Sequence, residues 1–310
     1  MSGQRITVGS YALDDVLLPK RTAGKGWLAS LGDARPVLRP GAVAQAVVLV
    51  DGPEGLALAE PVVLAGLAHP PGSRVAIDPV PGNAALFLVR LGSKPFGVAS
   101  ALDWQPGAEA GIIADGGAPG GLAALTAGTL IDTPDGPRPA EDLRAGDLVT
   151  TLGNGSRPLV WVGRRRVPPV ELAAHPGLRP VSFASGAAGN GRALLVSPLQ
   201  RMLIDDWRAE VYFGEDRVLV AARALVDDRA VQVALPATGV EYVVLLCDRH
   251  EVLLAEGTLV ESFHPGETGL DGLPTEARAE LAALVPEAEL IRRRAAYPIV
   301  RNAEARALRS

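Results

Sequence analysis

Short apolar runs, each bounded by turn-forming residues, recur along almost the whole chain. Thirty-five Gly and 26 Pro interrupt the sequence, so the apolar runs between them are only a few residues long. Runs of this length between glycine and proline are typical of β-strands rather than helices. The pattern therefore predicts an all-β protein, with helices confined to its C-terminal end.

The first part of this pattern, residues 1–110, predicts a small β-rich N-terminal domain. Its strand candidates are the runs "AVAQAVVLVDG", "PVVLAGLAH", "RVAIDP" and "ALFLVRLG". Residues 111–121 are rich in Gly and Ala, which cannot fill a core, and they predict a linker. A second β unit follows over residues 122–265, with strand candidates that include "DLVTTL", "RPLVWVGRRRV", "RMLI", "EVYFG" and "EYVVLLC".

Residues 266–310 have a different pattern, which predicts a helical C-terminal extension. In "LPTEARAELAALV", Thr275 can cap a helix that Pro286 ends, with an apolar face formed by Ala277, Leu281 and Leu284. The later segment "NAEARALR" predicts a second short helix.

Charge and hydropathy exclude several classes of partner. Thirty basic residues against 35 acidic ones give a net charge of −5, and the runs "GRRRV" and "IRRRAA" lack interleaved aromatics, so nucleic acid is not an expected partner. No apolar run approaches the roughly 18 residues of a membrane helix, so no membrane span is expected. Because the N-terminal segment has no continuous apolar stretch and carries Asp14 and Asp15, we expect a cytoplasmic protein, or one exported without a cleaved signal.

Metal and cofactor chemistry has little support in the sequence. The histidines, at positions 69, 175, 250 and 264, are too scattered for a ligand motif. Cys247 is the sole cysteine, and its place in an apolar run predicts a buried, inert thiol. We therefore expect no metal and no cofactor.

The most distinctive segment is "GTLIDTPDGPRPAEDLRAGDLV", which begins at Gly128. Pro134 presets a turn that Asp135 and Gly136 complete, and a second reversal is predicted at Gly146. Between the two turns, Leu143 follows a short polar stretch and is predicted to point inward.

This segment resembles the first block of the Hint domain, the Hedgehog and intein fold, and in particular the bacterial Hedgehog/intein family. The resemblance extends through "LVWVGRRRV", "LLVSPLQRMLI" and "VEYVVLLCDRHEVLLAEGTLVESFHPG" to the C-terminal helix. It implies a horseshoe-like β fold over about residues 120–265, whose two ends meet around a self-processing site. The N-terminal domain lies outside it.

The same resemblance assigns the catalytic positions. Active members carry a cysteine four positions before the glycine of "GT", where its thiol can close onto the preceding carbonyl; here that position is Ala124. The family's general acid is a histidine three residues after a Ser or Thr. In this chain the hydroxyl position is Ser197 and the histidine position is Gln200, whose amide does not titrate near neutral pH.

Other polar residues are weaker candidates for the missing catalytic groups. Thr126 is displaced by two residues from the nucleophile position, and neither Asn190 nor Asn302 follows a histidine as a cyclising asparagine would. Asp248 and His250 in "CDRHEV" form the best remaining constellation. They are interpreted either as a catalytic remnant or, preferably, as polar residues on the exposed face of an edge strand.

Two functional hypotheses follow from these residues. The first is a Hint-type module that has lost self-cleavage and acts as a structural or interaction domain, with a protein partner expected through the N-terminal domain. The second is a residual autoprocessing enzyme that cuts its own chain near residues 121–124 through an acyl shift.

Overall fold

The fold is described from a computed structural model of the chain. It describes residues 3–18, 31, 35–64, 67–110, 121–264, 270, 272–286, 289–290 and 293–305. The chain separates into two compact units. The first contains residues 1–118, 167–176 and 235–239, and the second contains residues 119–166, 177–234 and 240–310.

The first unit is built around an antiparallel sheet of six strands in the order β5-β4-β1-β10-β9-β8. Two short antiparallel strand pairs, β2-β3 and β6-β7, a 3-10 turn at Leu13–Asp15 and one short α-helix are also described in this unit. The bounds are β1 (Arg5–Ala12), β2 (Val16–Leu17), β3 (Val37–Leu38), β4 (Gln45–Gly52), β5 (Gly55–Leu58), β6 (Val62–Leu64), β7 (Leu67–His69), β8 (Val75–Val80), β9 (Asn83–Leu91), β10 (Lys94–Ser100) and α1 (Pro169–Ala174).

Alternation of inward and outward side chains sets the core of this unit. Along β1 every second residue is buried, namely Ile6, Val8 and Ser10, as expected for a strand with one covered face. The core is aliphatic, with Leu38, Leu86 and Val98 packed around the one buried tryptophan of the cluster, Trp104.

The second unit holds a sheet of thirteen strands, with a main path in the order β19-β18-β23-β22-β14-β15-β21-β11-β17-β16-β20. Off this path, β12 pairs with both β13 and β22. The bounds are β11 (Leu125–Thr126), β12 (Leu130–Ile131), β13 (Arg138–Pro139), β14 (Leu148–Thr151), β15 (Gly155–Val167), β16 (Val181–Phe183), β17 (Leu194–Val196), β18 (Arg201–Ile204), α2 (Trp207–Phe213), β19 (Val218–Ala221), β20 (Val231–Val233), β21 (Val240–Cys247), β22 (Val252–Ala255), β23 (Thr258–Glu261) and α3 (Thr275–Leu284).

The core of the second unit is again made of aliphatic side chains, with Phe183 as an aromatic member. Leu143 is completely buried, which confirms that it points inward from the turn segment. The prediction of an all-β fold with a short C-terminal helix is confirmed.

Two helices occur where the sequence pattern did not predict them. The strand predicted from "EVYFG" is wrong, because these residues lie at the end of α2 and just after it. The Asp206 carboxylate caps α2 by accepting a hydrogen bond from the Arg208 N–H at 2.9 Å, and Gly214 ends the helix with a φ of 69°. The other helix, α1, begins at Pro169, a position that proline favours because its fixed φ suits the first turn.

The C-terminal helix α3 agrees with the prediction in position but not in every detail. Thr275 is its first residue rather than its cap, and the cap residue, Pro274, makes no side-chain hydrogen bond. Leu281 is buried, whereas Leu284 is 55% exposed, so the predicted apolar face is wrong at Leu284. In the second predicted helix, the N–H groups of Glu304 and Ala305 donate to the Arg301 carbonyl in a single turn. Residues 306–310 lie outside the described part.

The predicted linker and the predicted lack of a membrane span can be compared with the structure only over the described residues. Residues 111–120 of the predicted linker lie outside the described residues. Across the ranges that the structure describes, every helix is too short or too polar to span a membrane.

Candidate functional site

Ala124, the residue that the sequence resemblance places at the nucleophile position, is held by backbone pairing. Ala124 immediately precedes β11 and Ser197 immediately follows β17, and these strands pair with Leu125 opposite Val196. Ala124 donates its N–H to Ser197 Oγ at 3.1 Å and accepts the Ser197 N–H on its carbonyl at 2.9 Å. Both residues are at most 2% exposed. The upstream peptide bond is therefore held in a fixed, buried position, next to a side chain that is only a methyl group.

A tight turn links Gln200 to Ser197 and so to Ala124. The Gln200 N–H lies 3.1 Å from both the carbonyl and the Oγ of Ser197. Its side-chain amide donates to the Glu261 carbonyl at 2.9 Å, so the side chain bridges to β23. Ala124, Ser197 and Gln200 are called the Ala124 clamp below. The clamp contains hydrogen-bonding groups but none that titrates near neutral pH.

The segment that enters the clamp passes close to Leu199. A Cβ at Gly121 would lie 2.6 Å from Leu199 Cδ1, so a side chain at this position would force Leu199 to move. Gly121, Ala123 and Leu199 line a cavity of about 150 Å³, together with Arg201 and residues 299–302. The site thus has room for only a small group beside the peptide that precedes Ala124.

Thr126, the candidate substitute nucleophile, has another partner. Its hydroxyl donates to the Leu195 carbonyl at 2.8 Å and lies 3.4 Å from Thr129 Oγ1. Asn190 also has a structural role, because its amide nitrogen donates to the carbonyls of Ala184 and Arg192 at 2.9 and 2.6 Å.

A buried group of ionisable side chains lies beside the clamp. β18 pairs with β23 through Met202 and Val260, and this register places Arg201 next to Glu261. The Arg201 guanidinium contacts both carboxylate oxygens of Glu261, at 3.1 and 2.8 Å, and the Arg201 N–H also donates to Oε1. The Glu261 side chain is completely buried. A buried carboxylate needs such partners, since unpaired burial of the charge is costly.

His250 and His264 complete this group. His250 Nε2 lies 3.2 Å from Glu261 Oε2, although the two atoms do not meet hydrogen-bond geometry, and the two imidazole rings are perpendicular with centroids 4.5 Å apart. Arg201, His250, Glu261 and His264 are called the Glu261 cluster below. The prediction that His250 lies on an exposed strand face is wrong, because the residue is 4% exposed.

The turn between β22 and β23 sets the register that brings these groups together. Glu256 and Gly257 both have positive φ, at 52° and 82°, as the two-residue turn of a tight hairpin requires. The resulting hairpin pairs Val252 with Glu261. His250 therefore precedes one strand of the hairpin, and His264 follows the other.

Asp248 and Cys247 do not join the cluster. Asp248 is paired with Arg157 and its side chain is 40% exposed. Cys247 is completely buried, and burial raises the pKa of its thiol to about 12, with further contributions from Glu251 and Asp248. Such a thiol stays protonated and is a poor nucleophile. Among the described residues, no group of three or more His, Cys, Asp or Glu could hold a metal ion.

Glu261 and Arg201 are not among the site residues predicted from the sequence. Glu261 lies in the apolar run "GTLVESF", where a carboxylate interrupts a buried strand. That interruption was the available signal, because a buried acid requires a partner. The sequence did not identify the partner.

The comparisons with known proteins define the class to which this site belongs. The family model of the Hint domain matches residues 123–267, which begin at the clamp and end after the Glu261 cluster. Residues 123–267 are a Hint domain, and the protein is a Hint-domain family protein.

Two solved structures are also similar to the chain. One is the solution structure of a bacterial intein-like domain from Clostridium thermocellum, with 15% identity and a TM-score of 0.32, covering 46% of this chain and 99% of that one. The other is the crystal structure of the gp41-1 intein, with 13% identity and a TM-score of 0.28, covering 44% of this chain and 96% of that one. A comparison with curated protein sequences found no match.

Proposed function

We propose that the Hint domain of this chain does not cleave itself and acts as a structural or interaction module. The observation that carries the proposal is the methyl side chain of Ala124. In the family that the sequence resembles, the acyl shift starts from a nucleophile at this position. An acyl shift needs a nucleophile there, because only that residue can close a small ring onto the preceding carbonyl.

The absence of a general acid at Gln200 points the same way. Its amide is engaged with the Glu261 carbonyl and cannot deliver a proton to a leaving nitrogen. Loss of a general acid alone costs about 10²- to 10⁴-fold in rate. With no nucleophile either, the peptide bond before Ala124 is expected to be as stable as an ordinary one.

Residual autoprocessing is the competing hypothesis, and its best nucleophile would be Thr126. The proton of the Thr126 hydroxyl is already engaged in a hydrogen bond to the Leu195 carbonyl. Intact mass of the full chain separates the two functions. We expect one species of 32.1 kDa with and without dithiothreitol or hydroxylamine. A pair of fragments divided within residues 121–126 would overturn the proposal.

A gain-of-function variant tests whether the clamp is the reason for inactivity. The double variant Ala124→Cys/Gln200→His restores both groups that the family uses. We expect it to release fragments divided before residue 124 when a thiol is added. The matched control is Ala127→Cys/Gln200→His, which adds a thiol three residues away and should remain intact. If the double variant also remains intact, missing groups at these two positions are not a sufficient explanation.

The N-terminal unit is proposed as the part that meets a protein partner. The Hint-domain match does not include the six-stranded sheet of this unit, although it does include residues 167–176 and 235–239, which belong to the same compact unit. Affinity capture from the native host tests this proposal by comparing the full chain with a truncated chain of residues 119–310. The comparison requires that the truncated chain keeps the circular dichroism of a β-sheet protein. Partners retained equally by both chains would assign binding to the Hint domain instead.

A further inference from the structure

The Glu261 cluster is covered by the C-terminal part of the chain. Residues 293–302, called the strap below, cross the edge of the large sheet, where β19 is the terminal strand of the main path. The Leu219 N–H donates to the Pro298 carbonyl at 2.8 Å, and the Val300 N–H donates to the Leu219 carbonyl at 3.0 Å. Tyr297 and Val300 also pack on apolar residues of this region. The strap therefore adds a short parallel strand to the sheet edge.

Two of the remaining strap contacts are made directly to the buried histidines. The Ala296 N–H donates to His250 Nδ1 at 3.1 Å, and His264 Nε2 lies 3.0 Å from the Arg293 carbonyl. The Arg293 guanidinium donates to the Cys247 carbonyl at 2.8 Å. Both imidazoles thus serve as attachment points for the first half of the strap.

The partners fix which nitrogen carries the proton in the neutral form of each ring. A backbone N–H can only donate, so His250 Nδ1 must accept and carries no proton. A carbonyl can only accept, so His264 Nε2 must carry the proton. In the closed arrangement both imidazoles can therefore be neutral, with the remaining proton of His250 on Nε2 and the bare nitrogen of His264 at Nδ1.

Adding a proton to either ring conflicts with the closed strap. On His250 the new proton would sit on Nδ1 and face the Ala296 N–H, so two donors would oppose each other. On His264 the new proton would sit on Nδ1, which is buried and has no hydrogen-bond partner among the described residues. A buried donor without an acceptor is strongly unfavourable, and a buried charge more so.

We propose that the strap closes over His250 and His264 only while both imidazoles are neutral, so that acidification releases residues 293–302 from the Hint domain.

The surrounding charges support this dependence. Glu261 faces His250, but its carboxylate is already neutralised by Arg201, and Arg293 on the strap adds a further positive charge. The other charged residues around His250 are those that line the neighbouring cavity of about 910 Å³: Asp248, Arg249, Glu251, Glu289 and Arg294. Burial lowers the pKa of His264, and the neighbouring His250 lowers it further, while Glu261 opposes the shift. An extra proton therefore enters a group in which the carboxylate that faces His250, Glu261, is already paired with Arg201.

The sign of the effect follows from the lowered pKa of His264. Above the ordinary value of 6.5 the ring is neutral whether the strap is closed or open, so pH has no effect there. Below that value the open state takes up a proton before the closed state does, and opening becomes more favourable as the pH falls. Each unit by which closure lowers a pKa corresponds to about a tenfold rise in the opening constant.

Hydrogen exchange on the full chain tests the proposal. Exchange is measured at about pH 7.5 and pH 5.5, with labelling times scaled for the pH dependence of intrinsic exchange. We expect the amides of residues 296, 297, 299 and 300 to lose protection at the lower pH, by at most about tenfold for each ring that takes up a proton on opening, whereas those of β15 and β21 keep theirs. Equal strap protection at the two pH values would overturn the proposal.

Non-titrating isosteres supply the decisive comparison. In the double variant His250→Asn/His264→Gln, the Asn oxygen can accept from Ala296 and the Gln amide can donate to Arg293, but neither side chain titrates. We expect strap protection in this variant to be the same at both pH values. His69→Gln, in β7 of the other unit, is the matched control and should behave as the unmodified chain does. A double variant that folds but loses strap protection on acidification would refute the role of the two imidazoles.

A second measurement covers the case in which the double variant fails to fold. In the unmodified chain, nitrogen chemical shifts of the imidazoles report tautomer and protonation directly. His250 is expected as the Nε2–H tautomer at about pH 7.5, and the midpoint of strap opening should coincide with proton uptake by His250 or His264. Strap opening without protonation of either ring would contradict the proposal as firmly as no opening at all.

Discussion

The Ala124 clamp and the Glu261 cluster lie next to each other, yet they differ in the kind of group that they contain. The clamp has three buried residues joined by backbone and neutral side-chain hydrogen bonds, and none of its groups moves a proton near neutral pH. The cluster has three buried ionisable side chains, Glu261 and the two imidazoles, together with Arg201, whose side chain is 16% exposed. The family resemblance assigns chemistry to the clamp, whereas the two buried imidazoles of the described residues lie in the cluster.

The position of residue 124 and its chemical reactivity depend on different groups. Backbone pairing between β11 and β17 holds residue 124 in place whatever its side chain is, because the hydrogen bonds use its N–H and carbonyl. Reactivity, by contrast, depends on a single atom of the side chain. The position of residue 124 therefore does not depend on whether its side chain is reactive. Three substitutions and one labelling experiment test what the clamp and the cluster each contribute.

The largest effect is expected from Arg201→Ala, which leaves the buried Glu261 carboxylate without its guanidinium partner. Breaking a buried ion pair by removing one member costs about 3–5 kcal/mol in the free energy of unfolding. Arg74→Ala is the matched control, because it breaks the pair with Glu54, in which both side chains are at least 67% exposed. That loss should be at most about 1 kcal/mol. Denaturant unfolding measures both, and similar losses would show that the cluster is not a stabilising unit.

Next in size is Ser197→Ala within the clamp. The change removes the oxygen that accepts the N–H groups of Ala124 and Gln200, and it leaves both donors with poorer pairing. We expect a loss of about 1–3 kcal/mol in the free energy of unfolding. Ser73→Ala, which removes an exposed hydroxyl bonded to the Pro70 carbonyl, should cost about 0.5 kcal/mol or less. A clamp variant as stable as the loop variant would mean that the Ser197 hydroxyl does not organise the site.

A smaller, pH-dependent effect is expected from His264→Gln. Because the pKa of His264 is lowered in the folded chain, stability should fall as the pH drops below about 6.5, where the unfolded chain takes up the proton first. Glutamine keeps a donor for the Arg293 carbonyl but does not titrate. The loss of unfolding free energy between pH 7.5 and pH 5.5 should therefore be smaller in the variant than in the unmodified chain. Identical losses would remove His264 from the pH response.

The smallest effect is expected when native Cys247 is exposed to a thiol reagent. Burial raises the pKa of this thiol to about 12, so iodoacetamide at about pH 8 should leave the folded chain unlabelled, and labelling should appear only after unfolding in denaturant. Intact mass reports the adduct. Rapid labelling of the folded chain would show that a thiol close to the cluster is available, which would weaken the contrast with the clamp.

The sequence predicted local features wherever one short segment was sufficient. Glycine and proline spacing indicated the strands, and the inward position of Leu143 followed from its turn segment. The residues around Ala124 and Gln200 were enough to indicate the Hint family. Prediction failed where two signals competed: "EVYFG" has β-forming residues, but the Asp206 cap and the terminal Gly214 favour a helix. At Leu284 the helical spacing was correct, but the described residues leave that side chain 55% exposed.

What the sequence determined by itself is the type of group at each position: a methyl at 124, an amide at 200, and a carboxylate within an apolar strand at 261. The tertiary structure alone decided which of these groups meet. Pairing of β18 with β23 joins Arg201 to Glu261 across sixty residues, and the strap brings Ala296 to His250. The physical reason is that strand pairing and burial act between residues distant in the chain, and the energy of an ionisable group depends on those neighbours rather than on its own type.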